Sequence, residues 1–171
     1  MHFLLLIFVT WSFWVSCGER QSPAQQQARQ VVQQQAPSQL HSLPSLPVQT
    51  AQMLFEQCDY VDYVFYELPI SMSLYEKPSI QRAVRHISAT PAAMDPRCKP
   101  VGRIFFQIEG ENVVQADIYF TPGCTYFVFL DEQGKPQYGN QMTDECIQYL
   151  NNNFMHAGLN KAVVPLEQRS N

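Results

Sequence analysis

Residues 102–131 read GRIFFQIEGENVVQADIYFTPGCTYFVFLD, and they contain three predicted strands in succession. Aromatic and β-branched residues dominate these strands, which cover 102–109, 113–120 and 124–131. The short segments between them contain Gly and Pro in positions that favour hairpin turns. The sequence therefore predicts an antiparallel meander at the centre of the fold.

The elements on either side of this meander are less regular. After Pro78, apolar residues recur at helical spacing from Ile80 to Ile87, which predicts a helix. Thr143 is typical of a helix N-cap, because two acidic residues follow it. The full prediction is helices at 50–58, 78–88 and 143–158, further strands at 60–66, 69–75 and 136–141, and a proline-rich loop at 89–100. The fold class is α+β, an antiparallel meander of about four to six strands with two or three helices packed on it.

The length and the charge of the chain limit its function. The 171 residues are enough for one ordinary domain with tails. The formal net charge of −4 argues against a nucleic-acid partner, since nucleic-acid-binding domains are usually basic. The sequence contains no phosphate-binding loop, no zinc or calcium motif and no nucleophile elbow. It therefore predicts neither a cofactor nor a metal ion.

The first residues predict export from the cell. Residues 3–15, FLLLIFVTWSFWV, carry no charge. The run is too short for a transmembrane helix, which needs about 20 residues, and its length is typical of the apolar part of a secretory signal. The segment 15–18, VSCG, then places a small residue, a cysteine and a glycine directly after it.

This segment resembles the lipobox of bacterial lipoproteins, although Trp14 stands where leucine is usual. The resemblance implies that residues 1–16 are a signal peptide and that Cys17 is the lipidation site, carrying palmitate-type acyl chains. Such chains hold a protein firmly on a membrane. Gly18 favours the outer membrane where enterobacterial sorting applies, with the domain in the periplasm or at the cell surface. The alternatives are a plain cleaved signal and an uncleaved anchor.

The composition then divides the chain into a tether, a domain and a tail. Residues 17–47 follow the lipobox with many Gln and Pro and no aromatic residue, which predicts a flexible tether. Nearly all Tyr and Phe residues beyond it lie between Phe55 and Phe154, so we expect one folded domain at 48–158. Residues 159–171 are predicted to be a dispensable tail.

Four further cysteines suit an exported, disulfide-stapled domain. In the predicted meander, Cys124 lies opposite Thr143, one helical turn before Cys146, so these two cysteines are expected to pair. By elimination, Cys58 pairs with Cys98. Zinc binding is the competing interpretation, but the spacing lacks the usual CxxC pair.

Two groups of side chains are candidates for binding. Arg82, Arg85 and His86 are predicted to share the exposed face of the 78–88 helix, where they could bind a phosphate or carboxylate. The alternative is an ordinary solvated helix face. Aromatic residues of the strands could form a surface for sugar or peptide, or they could belong to the core; these residues are Tyr60, Tyr63, Tyr66, Tyr119, Tyr126 and Phe127.

Together these features predict a membrane-anchored lipoprotein whose domain serves binding or assembly rather than catalysis. Its partners would be the membrane and an unidentified protein or small molecule. Two alternatives remain, a periplasmic or secreted carrier of a small ligand and an enzyme with an unrecognised active site. A carrier predicts an enclosed apolar cavity, an interaction module a flat exposed patch, and an enzyme a pocket where His86, an arginine and an acid converge.

Overall fold

The computed structural model describes residues 41–158 and 163–165. The predicted signal peptide, Cys17 and most of the predicted tether lie outside the described residues, and so do 159–162 and 166–171. Among the residues that are described, no helix is both long enough and apolar enough to cross a membrane.

The fold is α+β, as the sequence predicts, with nine strands and three helices in the described residues. The strands are β1 (His41–Ser42), β2 (Tyr60–Phe65), β3 (Ser71–Leu74), β4 (Ile87–Pro91), β5 (Ala93–Met94), β6 (Gly102–Ile108), β7 (Glu111–Thr121), β8 (Cys124–Leu130) and β9 (Pro136–Met142). The helices are α1 (Val48–Gln57), α2 (Lys77–Arg85) and α3 (Asp144–His156).

Seven of the strands form one antiparallel sheet in the order β3-β2-β6-β7-β8-β9-β4. The meander from β6 to β9 is confirmed, but the strand count exceeds the prediction of four to six. Three strands are additional to the prediction. Strand β1 lies in the predicted tether and β5 in the predicted loop at 89–100, while β4 runs from the end of the predicted helix at 78–88 into that loop; the helix itself ends at Arg85. Strand β4 occupies a sheet edge with a register shift, where Pro91 is tolerated. Strand β5 pairs with β1 in a separate two-stranded sheet.

The three helices share one apolar core with one face of the sheet. Residues at alternating positions of β2, β6, β7 and β8 lie in this core together with Leu54 of α1, Ile80 of α2 and Leu150 of α3. Burial of this apolar surface is the main source of stability for the domain.

Local signals fix where the helices begin and end. Pro78 lies in the first turn of α2, and the Thr143 hydroxyl accepts a hydrogen bond from the backbone of Cys146 at 3.3 Å as the N-cap of α3. The ammonium group of Lys77 donates to the carbonyl oxygens of Glu56 and Cys58, at 2.6 and 3.2 Å. This contact satisfies carbonyl groups at the end of α1 and ties it to α2.

On the opposite face of the sheet, the described residues form a second, smaller apolar cluster over one half. There the segments 41–46 and 92–98, which we call the strap, pack on β8 and β9 around Ala92, Tyr126 and Val128. Gly139 of β9 joins both segments, because it donates to the carbonyl of Pro44 and accepts from the amide of Ala92, each at 2.9 Å. The half of this face formed by β3, β2 and β6 lies outside that cluster.

The folded unit extends beyond both predicted limits of 48–158. At its start, Leu46 is buried and its amide donates to the side chain of Asn140 at 2.8 Å. At its end, the side chain of Asn151 accepts from the amides of Val163 and Val164, at 2.9 and 3.1 Å. Residues 41–47 therefore pack as part of the domain, and 163–165 are bound to α3.

The predicted disulfide pairs are wrong. Cys98 and Cys124 form the disulfide, with 6.0 Å between their Cα atoms, while Cys58 and Cys146 are buried thiols. Each predicted pair joins a cysteine on one face of the sheet to a cysteine on the other face. Cys58 and Cys146 lie in the core on the helix side, whereas Cys98 and Cys124 pack on the strap side.

Candidate binding site

An open cleft of about 840 Å³ lies at the end of the sheet where β2 and β7 stop and β6 and β8 begin. Four separate stretches of chain line most of it: 66–68, 95–101 and 120–124, with Phe154 from α3. Phe120 and Phe154 are buried and meet edge to face with 5.5 Å between ring centres. Their packing joins α3 to β7 beside the cleft and gives it a rigid apolar base.

One wall of the cleft is the loop 95–101, which is held in place at several points. The carboxylate of Asp95 accepts from the backbone amide and the Nε of Arg97, both at 2.9 Å. These hydrogen bonds from Arg97 lower the pKa of the Asp95 carboxyl to about 2. The disulfide from Cys98 then ties this loop to Cys124 at the start of β8, so the wall has a covalent attachment.

The opposite end of the cleft presents the ring of Tyr66, which is 53% exposed. Its hydroxyl donates to the carboxylate of Asp117 at 3.3 Å. Arg103 donates to the same carboxylate oxygen through Nε at 2.8 Å. Partial burial and the nearby Asp117 raise the pKa of the Tyr66 hydroxyl, so it stays protonated at neutral pH. The ring is therefore held at its hydroxyl end while most of it faces solvent.

The formal charges in the lining cancel. The charged side chains there are Glu67, Asp95, Arg97 and Lys99. Asp95 and Arg97 are paired with each other, and Glu67 and Lys99 add one charge of each sign. The cleft thus combines apolar surface with polar groups of both kinds and carries no net charge.

His86 does not share an exposed surface with Arg82 and Arg85, which corrects the prediction for this helix. It is 1% exposed and its ring lies 5.1 Å from the ring of Tyr149 in α3. Burial lowers the pKa of His86 to about 4, so the imidazole is neutral at pH 7. Among the described residues, neither ring nitrogen has a hydrogen-bond partner, and the same is true of the Tyr63 hydroxyl.

The two arginines stay on the surface with other contacts. Arg82 lies 3.6 Å from Glu145, and both side chains are more than half exposed, so the pair contributes little to stability. The guanidinium of Arg85 lies 6.0 Å from the ring centre of Phe55. The structure therefore does not assemble the three predicted residues into one anion site, nor does it bring them to the cleft.

The aromatic residues of the strands divide between core and surface. Tyr63, Tyr126 and Phe127 are buried, and Tyr119 stacks on Tyr126 with 4.6 Å between ring centres. Of the six aromatic residues named from the sequence, Tyr66 is the one that lines the cleft. Its position directly after the buried Phe65, where the strand ends, is the one sequence signal for that role.

No group of three or more His, Cys, Asp or Glu side chains within 41–158 and 163–165 is placed to hold a metal ion. Comparisons with known proteins add no family to this picture. No protein-family model, curated protein or solved structure matches the chain. The proposals below therefore rest on its own residues and geometry.

Proposed function

We propose that this protein is an exported lipoprotein, anchored through Cys17, whose domain binds a ligand in the cleft beside the Cys98–Cys124 disulfide. The anchoring part is supported by the apolar run at 3–15 and the lipobox-like segment that follows it. The binding part is supported by one observation above all, the open cleft of about 840 Å³. That volume is within the range of small-molecule sites, about 300–1,000 Å³.

The build of the cleft supports binding rather than catalysis. His86, a buried histidine with a lowered pKa, packs against Tyr149 of α3 and does not line the cleft. Within the part of the chain that the structure describes, no histidine lines the cleft, and Asp95 is already engaged by Arg97. A rigid wall, an apolar base and fixed polar groups are features that bind and orient a ligand.

The anchor is tested by the intact mass of the native protein after extraction from its membrane. We expect a chain that begins at Cys17 and is heavier by its acyl chains, and the Cys17→Ser variant should lose that mass and leave the membrane fraction. Recovery of an unlipidated chain that begins elsewhere would contradict the anchor.

The cleft is tested by a ligand screen that follows thermal unfolding of the same native protein. A ligand present at 100 times its Kd stabilises the folded state by about 2.7 kcal/mol. Thr121→Trp, which fills the cleft at one end of β7, should abolish the shift given by any such ligand. Val113→Trp is the matched control, because Val113 is exposed near the other end of the same strand and should leave the shift intact. Shifts that survive Thr121→Trp would place the binding elsewhere.

A further inference from the structure

We propose that the cleft binds a neutral saccharide and that the exposed ring of Tyr66 is the surface on which a sugar ring stacks. This inference rests on the proposed function, since it assigns a ligand class to the same cleft. Four observations support it: the orientation of the Tyr66 ring, the pairing of the charges around it, the use of the nearby backbone groups, and the cancelled charge of the lining.

The Tyr66 ring is exposed and yet held in one orientation. Its hydroxyl bonds to Asp117, which in turn is bound by Arg103, so the hydroxyl is not free to carry ligand specificity. What remains available is the face of the ring. A pyranose presents C–H groups on its face and hydroxyl groups around its edge, so it can stack on an aromatic ring while its edge forms hydrogen bonds.

Polar groups that suit the edge of a sugar are present in the cleft lining and at the Tyr66 hydroxyl. Asp95 and Arg97 line the same cleft, and Arg103 and Asp117 hold the Tyr66 hydroxyl. In each pair the guanidinium and the carboxylate neutralise each other. Both still have hydrogen-bonding positions left for a ligand, because a guanidinium has five N–H donors and a carboxylate about four acceptor positions. Fixed planar groups of this kind suit the vicinal hydroxyl groups of a sugar.

The charge of the cleft favours a neutral ligand over an anion. The lining has as many carboxylates as cationic side chains, namely Glu67 and Asp95 against Arg97 and Lys99. Because the two signs balance, the cleft offers no net electrostatic attraction to an anion or to a cation. A neutral polyhydroxylated molecule needs no such attraction, because it binds through stacking and hydrogen bonds.

The backbone beside the cleft argues against an extended peptide. A bound peptide strand would need unpaired N–H and C=O groups of a sheet edge. Here the amide of Tyr66 already donates to the carbonyl oxygen of Val101 at 3.0 Å, and the amide of Val101 donates to the carbonyl oxygen of Ile118 at 2.8 Å. Pro100 and Pro122 contribute no N–H group at all. These four positions therefore offer a peptide strand no free N–H group, which favours recognition by side chains.

The test is titration calorimetry of the full-length native protein, extracted in detergent, with three neutral probes. The probes are the trisaccharides of β-linked N-acetylglucosamine, β-linked glucose and α-linked glucose. We expect at least one of them to bind, and Tyr66→Ala to weaken that binding by about tenfold or more. Tyr66→Phe, which keeps the ring, should bind within about threefold of the parent.

Tyr75→Ala is the matched control, because Tyr75 is 74% exposed and does not line the cleft. It should leave sugar binding unchanged. A second readout is Tyr66→Trp, in which the emission of the new tryptophan should shift to shorter wavelength when the sugar stacks on it. The two native tryptophans, Trp11 and Trp14, both lie in the segment predicted to be removed.

The outcomes separate the two proposals. If no probe binds, or if Tyr66→Ala and Tyr75→Ala bind sugar equally well, the saccharide inference is overturned. If the thermal screen then finds a peptide or acyl-chain ligand that Thr121→Trp abolishes, the cleft remains the binding site with another ligand class. If Thr121→Trp affects no ligand of any class, the proposed function of the cleft fails as well.

Discussion

The two faces of the seven-stranded sheet are stabilised by different means. The helix side is one large apolar core to which all three helices contribute. The strap side has three buried apolar residues, and its covering segments are short. They are held by a disulfide, by backbone bonds to Gly139 and by the buried amide of Asn140. The comparison shows that a sheet face with little apolar burial can still be covered. Each covering segment is then held by its own disulfide or hydrogen bonds.

The largest expected effect comes from two adjacent residues of β6 that point to opposite faces. Phe106 is fully buried on the helix side, while its neighbour Phe105 is half-buried on the other face. Phe106→Ala should lower the free energy of unfolding by about 3–5 kcal/mol, because it leaves a cavity in the core. Phe105→Ala should cost about 1 kcal/mol. Urea denaturation measures both, and equal losses would mean that the two faces do not differ in this way.

Removal of the disulfide should come next in size. Cys98 and Cys124 are 26 residues apart, and closing a loop of that length stabilises a protein by about 3 kcal/mol in the chain-entropy model. The paired variant Cys98→Ser with Cys124→Ser should lose that amount. Hydrogen exchange should also accelerate in the strap while α3 stays protected. Uniform acceleration over the whole domain would contradict the independence of the two faces.

The helix side of the sheet is expected to lose stability in acid. His86 binds its proton with a pKa of about 4 when folded and about 6.5 when unfolded, because burial opposes its charge. The contribution of Glu145 favours the charged form, while Arg82 and Arg85 disfavour it. The stability that the neutral imidazole provides is complete above pH 6.5 and is lost as the pH falls towards 4. The shift corresponds to about 3 kcal/mol.

The measurement is the free energy of unfolding at several pH values for the parent, His86→Phe and His156→Gln. The difference between parent and His86→Phe should change by about 3 kcal/mol between pH 7 and pH 4. His156 lies exposed near the end of α3, so His156→Gln should follow the parent. A difference that stays constant with pH would show that His86 is not the group responsible.

The smallest effect concerns the side-chain amide of Asn140 in β9, next to the edge strand β4. The Asn140 side chain accepts from the amide of Leu46 and donates to the carbonyl of Ser88, both at 2.8 Å. Asn140→Ala should cost about 2 kcal/mol, because it leaves buried backbone groups unpaired. Asn112→Ala, on an exposed residue of β7, should be neutral. Early proteolysis between 41 and 46 in Asn140→Ala would show that the Asn140 side chain holds the start of the strap.

Local signals predicted the centre of the fold well. Residues 102–131 specify their strands through aromatic and β-branched content and their turns through Gly and Pro, and none of these signals needs a distant partner. Gly110 and Gly123 have φ of 82° and 81°, a conformation that glycine adopts without strain. The helix at Pro78 was predictable for the same reason.

Two of the errors concern which side of an element faces which neighbour. The helix pattern predicts that His86 lies with the arginines, but α3 packs over that flank and buries the ring against Tyr149. The predicted disulfide pairs rest on distance along the meander, which does not require that both cysteines lie on one face. In β8, alternation from the buried Phe127 and Phe129 places Cys124 on the strap side, so this constraint was present in the sequence.

The cleft could not have been predicted from any local pattern. It forms where segments near residues 66, 98, 122 and 154 meet, and these segments are brought together by the order of strands in the sheet. The role of Tyr66 likewise depends on Asp117, which lies 51 residues further along the chain. A single sequence indicates that Tyr66 is aromatic and ends a strand, but not that its ring has a partner.

The two edges of the sheet affect how readily copies of this protein would associate when they are close together. One edge, β3, has four residues, and the other, β4, has a register shift and ends at Pro91. An open edge is a template on which another chain can add a strand, and short or interrupted edges resist this. Anchored copies on a membrane would share a thin layer and meet often. Edges of this kind would let these copies diffuse side by side without pairing their strands into a fibril.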